Sequence, residues 1–116
     1  MLNGLIKLLG FRRAKLTRLQ VFKKLNHERQ YQQERWKDHI DDNVVVTVLT
    51  EKDTVVPEPA HEVGAWISFM ETYLQEARNL NAKGEDALLK IRCVAALGVA
   101  CLEQHGCPDR PPACTL

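Results

Sequence analysis

The chain has 116 residues, 45% of them apolar and 27% charged, which suits one globular domain with its own core and excludes a wholly disordered chain. No apolar run approaches the ~18 residues of a membrane-spanning helix, and the first one stops at Leu9, before Gly10, Phe11, Arg12 and Arg13, with no small-residue cleavage site of a secretory signal. The net charge of +1 hides a split, because residues 1–26 hold seven cations and no acid while the rest of the chain holds 9 basic and 15 acidic residues.

In chain order, a basic segment comes first, over 1–26. Leu2, Leu5, Ile6, Leu8 and Leu9 predict a first turn or two, broken at Gly10. Residues 12–38 predict one long helix: Leu16, Leu19, Phe22 and Leu25 recur at helical spacing and Trp36 extends the stripe. Asp41, Asp42 and Asn43 stop it. An insert over 40–60 then brings the β-branched run NVVVTVLT, a turn-like EKDT, and TVVPEP, closed by Pro57 and Pro59. It reads either as a short β-hairpin or as an extended loop lying across the helices.

A second helix is predicted over 61–80, where Val63, Trp66, Ile67, Met70, Leu74 and Ala77 fall three and four apart. After a connection at 81–84, residues 85–105 predict a third helix. It is apolar around most of its circumference from Ile91 to Leu102, so it is expected at the centre of the fold. Gly106 suits its C-terminal cap and Pro108 a stop, and the tail 107–116 reads as irregular. The fold class expected is all-α: a helical bundle with its core at 27–106, three main helices and the short insert. Trp66, Ile67, Met70, Leu74, Ile91, Val94, Ala95, Leu97, Gly98, Val99 and Leu102 are expected to be buried, with Gly98 and the alanines marking a close helix–helix approach.

The remaining signals are weaker. Cys93 and Cys101 sit in the apolar pattern of the third helix as small hydrophobes. Cys107 and Cys114 lie in the tail, and with no signal segment a reducing cytoplasm is the expected setting. The spacing of Cys101, His105, Cys107 and Cys114 matches no structural zinc pattern. His27, His39 and His61 are scattered and read as surface residues. There is no glycine-rich phosphate loop and no nucleophile elbow.

Three stretches, HERQYQQERW, GAWISFMETYLQEA and IRCVAALGVACLEQHGCPDR, occur in this order over residues 27–110. Together they resemble small phage and prophage proteins related to the MazG-like nucleotide pyrophosphohydrolases. The resemblance implies a helical bundle that assembles as a dimer or tetramer in the bacterial host cytoplasm. Enzymes of that family hold Mg²⁺ between a Glu-Glu-x-x-Glu helix and a Glu-x-x-Asp helix. The spacing suits the chemistry, since residues three and four apart share a helix face and Mg²⁺ takes oxygen ligands.

In this chain those positions fall on Thr72, Tyr73 and Glu76 in the second helix and on Lys90 and Cys93 in the third. One carboxylate survives and a lysine faces it, so the resemblance implies a pocket rebuilt to stand without metal. The expectation is therefore a non-catalytic binding protein with no cofactor, whose partner is a host protein or a small nucleotide. The alternatives are a Mg-dependent nucleoside triphosphate pyrophosphohydrolase and a nucleic-acid-binding accessory protein. The basic set Arg12, Arg13, Lys15, Arg18, Lys23 and Lys24 is expected to meet a partner or an anion. Self-association into a homo-oligomer is favoured there over nucleic acid, because no aromatic residues interleave the cations, and over a membrane surface. Leu16 to Leu25 is the element expected to be exchanged between copies.

Overall fold

A computed structural model describes residues 13–42, 45–50 and 52–111. Residues 13–17 belong to no helix or strand, and the first helix, α1, spans Arg18–Trp36. Its start is set by a capping box. The Gln20 amide donates to Thr17 Oγ1 at 3.2 Å, and the Thr17 amide donates to Gln20 Oε1 at 2.8 Å. A 3-10 helix, Lys37–Asp42, continues from α1. Strands β1, Val45–Leu49, and β2, Val55–Pro59, form an antiparallel hairpin with Val48 opposite Val56 and Thr47 opposite Pro57. Two longer helices complete the chain: α2 over Val63–Ala82 and α3 over Leu88–His105.

The turn between α2 and α3 is a Schellman closure. Gly84, at φ +72°, donates to Asn81 O at 3.1 Å, and the Glu85 amide donates to Leu80 O at 2.9 Å. Gly106 ends α3 at φ +95°, its amide donating to Leu102 O at 2.8 Å. α3 packs on both other helices. Against α2 the core is Trp66, Leu97 and Ala100, joined by Trp36, Met70, Tyr73 and Cys101. Toward α1 it presents Arg92 and Glu103, which pair with Glu28 and Arg29 of that helix, and Ala96 and Ala100 between them are fully buried. Among the described residues no helix is long and apolar enough to cross a membrane.

The buried face of α1 is polar. Glu28, Arg29 and Gln32 are its buried residues. Arg29, 4% exposed, donates from Nη2 to Glu58 of β2 and from Nε to Glu103 of α3, each at 2.7 Å. Glu58 is 1% exposed and accepts a second bond from Gln33 Nε2 at 2.6 Å. A hairpin is thereby fastened to two helices through one guanidinium.

Several expectations need correction. The chain is mainly helical but not all-α, because the insert pairs as a two-stranded sheet. Pro57 lies inside β2, while Pro59 is its last residue and closes the insert as expected. Thr50 and Thr54 form a hydrogen-bonded pair, so the ladder bonds recur at Val48–Val56 and Val46–Glu58. Both prolines then fall at positions that donate nothing to β1. α1 starts at Arg18 and not at residue 12, since the Thr17 cap fixes the boundary.

Of the expected core, Trp66 and Leu97 are buried and Met70, Val94, Ala95 and Gly98 are partly so, but Ile67, Leu74, Ile91, Val99 and Leu102 are exposed. Val99 lines an open groove beside Phe22 and Leu25 of α1, and the other four lie at the surface of α2 and α3. Phe22 is exposed as well. A Cβ on Gly98 would meet Met70 Sδ at an ordinary 3.8 Å, so no close approach within the chain requires this glycine. Leu2 to Leu9, Phe11 and Cys114 lie outside the described residues.

Glu58→Ala should test the fastening. Removing one partner of a buried ion pair strands the other and costs about 3–5 kcal/mol. The urea midpoint of Glu58→Ala is expected to fall accordingly, and a midpoint equal to that of the wild type would contradict this role for Glu58.

Candidate functional site

Where α1, α2 and α3 diverge they leave an open cleft of about 910 Å³. Each helix supplies it by residues three and four apart: Glu28, Tyr31, Gln32 and Arg35 from α1, Phe69, Thr72, Tyr73 and Glu76 from α2, and Leu89, Lys90, Arg92 and Cys93 from α3. Thr72, Tyr73, Glu76, Lys90 and Cys93, assigned to one pocket from the sequence, all line it.

Two ion pairs cross the cleft. Lys90 Nζ lies 2.8 Å from Glu76 Oε2 and sits over the Tyr73 ring, 5.3 Å from its centroid. The Glu76 contact raises the lysine pKa, so the ammonium stays charged. Arg92 Nε donates to Glu28 Oε1 at 2.9 Å. The Cys93 thiol points at Glu28 Oε2 at 3.8 Å, and burial, with the Glu28 charge behind it, pushes its pKa up. Cys93 is therefore a protonated wall residue and no nucleophile. Thr72 Oγ1 is spent on its own helix, donating to Ser68 O at 3.1 Å.

Rings line the rest of the cleft. Arg35 Nη1 donates to the Tyr31 hydroxyl at 3.1 Å and stacks over that ring at 5.8 Å. Trp36 tilts against the buried Trp66 at 5.7 Å. His61 meets Trp66 and Phe69 edge-on at 5.2 and 5.1 Å, and burial lowers its pKa. The His61 backbone is held too. Its amide donates to Gln104 Oε1 at 3.2 Å, and its carbonyl accepts from His105 Nε2 at 2.7 Å. His61 is thus partly buried packing, which corrects its reading as a surface residue, whereas His27 and His39 are exposed.

A Mg²⁺ ion of the kind MazG-like enzymes hold would not fit these residues. The cleft holds two carboxylates, Glu28 and Glu76, and a side-chain cation lies within 2.9 Å of each. Among the described residues no group of three or more His, Cys, Asp or Glu side chains comes together to hold a metal.

The basic set does not join the cleft. Arg12 lies outside the described residues. Arg13 pairs with Asp86, whose carboxyl is held below the usual range by that guanidinium and by the Leu88 amide. Lys15, Arg18, Lys23 and Lys24 are exposed along the start of α1, among the equally exposed Leu16, Leu19, Val21 and Phe22. What the sequence reading missed in the cleft is Glu28, Tyr31, Arg35 and Arg92. Glu28, Tyr31 and Arg35 are spaced three and four apart, a pattern visible within HERQYQQERW. Comparison with family models, with curated proteins and with solved structures finds no match.

The lowered His61 pKa sets a pH dependence. Because the folded ring holds its proton less tightly than the unfolded one, the unfolded state gains protons first as pH falls through about 6.5, and stability is lost there. His61→Phe keeps a ring against Trp66 and Phe69 but cannot titrate. Thermal melts from about pH 7.5 to about pH 5.5 should show the wild type losing stability relative to His61→Phe. A difference that does not change with pH would contradict this.

Proposed function

We propose that the protein is a non-catalytic binding protein that takes a nucleotide-like ligand in the cleft and works as a homo-oligomer. The observation that carries this reading is the convergence of Lys90, Arg92 and Arg35 with Tyr31, Trp36 and Tyr73 on one open cleft. Ammonium and guanidinium groups attract phosphate, and the ring faces offer stacking for a base. The resemblance to MazG-like enzymes supplies the ligand class and the setting of a phage-type protein in a bacterial cytoplasm.

Binding without cleavage follows from the donor set. In Mg-dependent pyrophosphate release the metal activates phosphate, orients water and templates the chain together. Two carboxylates already committed to Lys90 and Arg92 leave little for such an ion. A ligand phosphate must compete with Glu76 for Lys90, so binding should weaken with salt. The homo-oligomeric part of the reading rests on exposed apolar residues on every helix, more than a lone chain covers.

Titration with nucleoside triphosphates, followed by tryptophan fluorescence, tests this. Trp36 lines the cleft, so a saturable change is expected, weaker in Lys90→Met and at high salt, with no pyrophosphate released in Mg²⁺ or Mn²⁺. No binding by any triphosphate would sink the ligand class. Metal-dependent turnover that disappears in Glu28→Ala or Glu76→Ala would establish the enzyme instead.

A further inference from the structure

The start of α1 stands clear of the bundle. Every residue from 18 to 24 is exposed, and that run makes about two turns of helix. Phe22 borders the groove that Val99 also lines, and it is still 56% exposed. Leu16, just before the helix, and Leu19 and Val21 within it are exposed too. At 3.6 residues per turn, Val21, Leu25, Phe22 and Leu19 share one arc of about 160°, and Gln20, Lys23 and Lys24 take the opposite side. Arg18 falls inside the apolar arc, where its long stem can carry the guanidinium out past the leucines. Farther along α1 the same side turns polar, with Glu28, Arg29 and Gln32 buried against the body. The apolar arc therefore belongs to the overhanging turns and not to the core.

The charge of these turns is also unspent. Residues 13–27 hold five lysines and arginines and no acid, and the first turn of α1 has no carboxylate to offset the positive end of the helix. Arg13 meets Asp86. The acids packed behind α1 turn elsewhere: Glu58 and Glu103 hold Arg29, Glu28 holds Arg92 and Glu76 holds Lys90. Lys15, Arg18, Lys23 and Lys24 thus surround an exposed apolar patch on a part of the molecule that packs on nothing.

We propose that this segment, Lys15 to Leu25, lays the protein on an anionic phospholipid surface, with Leu19, Val21 and Phe22 entering the acyl boundary and Lys23 and Lys24 held at the headgroups. A bilayer interface uses both halves of the pattern, apolar burial and cation–phosphate attraction, in one contact. A nucleic acid would use the cations and leave Leu19, Val21 and Phe22 in water. Two copies meeting through this segment would set like charges against each other, which argues against it as the element exchanged between copies. No described helix is long and apolar enough to span the bilayer, so the contact is peripheral.

The test is sedimentation of the full chain with vesicles of phosphatidylcholine alone or mixed with phosphatidylserine, with circular dichroism confirming that each variant is folded. The wild type should sediment with the mixed vesicles and not with the neutral ones, and less so as salt rises. K23Q/K24Q should weaken this by about five-fold per lysine removed. L19S/F22S, which keeps every cation, should weaken it by about ten-fold or more. K52Q/K83Q, which removes two exposed lysines elsewhere, should bind as the wild type does. No sedimentation with the mixed vesicles overturns the proposal, as does equal sedimentation with neutral ones. Binding that survives L19S/F22S but is lost in K23Q/K24Q also overturns it, because the surface then reads polyanions alone. Retention of duplex DNA or RNA by a wild type that ignores the mixed vesicles would assign the segment to nucleic acid instead.

Discussion

Arg29 cannot be left alone. Its side chain is buried, a guanidinium stays charged at any ordinary pH, and taking that charge out of water costs several kcal/mol unless carboxylates meet it. Burial pulls its pKa down, but the bonds to Glu103 and Glu58, with their charges, outweigh that and hold it above the usual arginine value. The two carboxylates come from different elements, one from α3 and one from the second strand of the hairpin. Wherever α1 places Arg29, the hairpin and the end of α3 must follow. A second tie, Arg92 to Glu28, joins α1 to the other half of α3.

The rest of the architecture hangs on these ties. The hairpin contributes little apolar surface to the core, with Val48 its one buried large hydrophobe, and a two-stranded ribbon is marginal by itself. Fixing Glu58 fixes the register of β2 and delivers Pro59 and His61 to the cleft wall. The Arg29 guanidinium also lies over Trp36, 5.6 Å from the ring centroid. Trp36 packs on Trp66, and Trp66 on Phe69 and His61. The aromatic side of the cleft is thus continuous with the charged network behind it. Buried ion pairs often specify an arrangement more than they stabilise it, and here the arrangement specified is the cleft.

Much of the helical layout was legible because apolar residues at spacings of three and four mark a helix wherever they occur. Gly106 announced its own cap, whereas the Glu76–Lys90 pairing was expected only through the family positions that the resemblance implies. Other features were hidden for physical reasons. A stripe of apolar residues identifies a face without saying what covers it, so Ile91 and Leu102 read as core although both are exposed. The α1 segment HERQYQQERW reads as solvated because its inward residues are charged, and only the carboxylates of Glu58 and Glu103, distant in sequence, make its burial affordable. Pro57 suggests the end of a strand until the ladder shows it at a position where no amide is needed, and the strand ends two residues later at Pro59. Thr17 and Gln20 do form a legible capping signature, and it places the start of α1 more accurately than the leucine stripe.

A double-mutant cycle on Arg29 and Glu58, with Arg29→Met, Glu58→Leu and the paired variant compared by urea unfolding, measures the central constraint directly. If the guanidinium holds the hairpin to the helices, each single change leaves a buried charge behind and the paired change removes both. The cost of the pair should then fall short of the summed single costs by roughly 1–3 kcal/mol. Single costs that add to within about 0.5 kcal/mol would show that the two side chains act independently and that something other than this ion pair holds the hairpin in place.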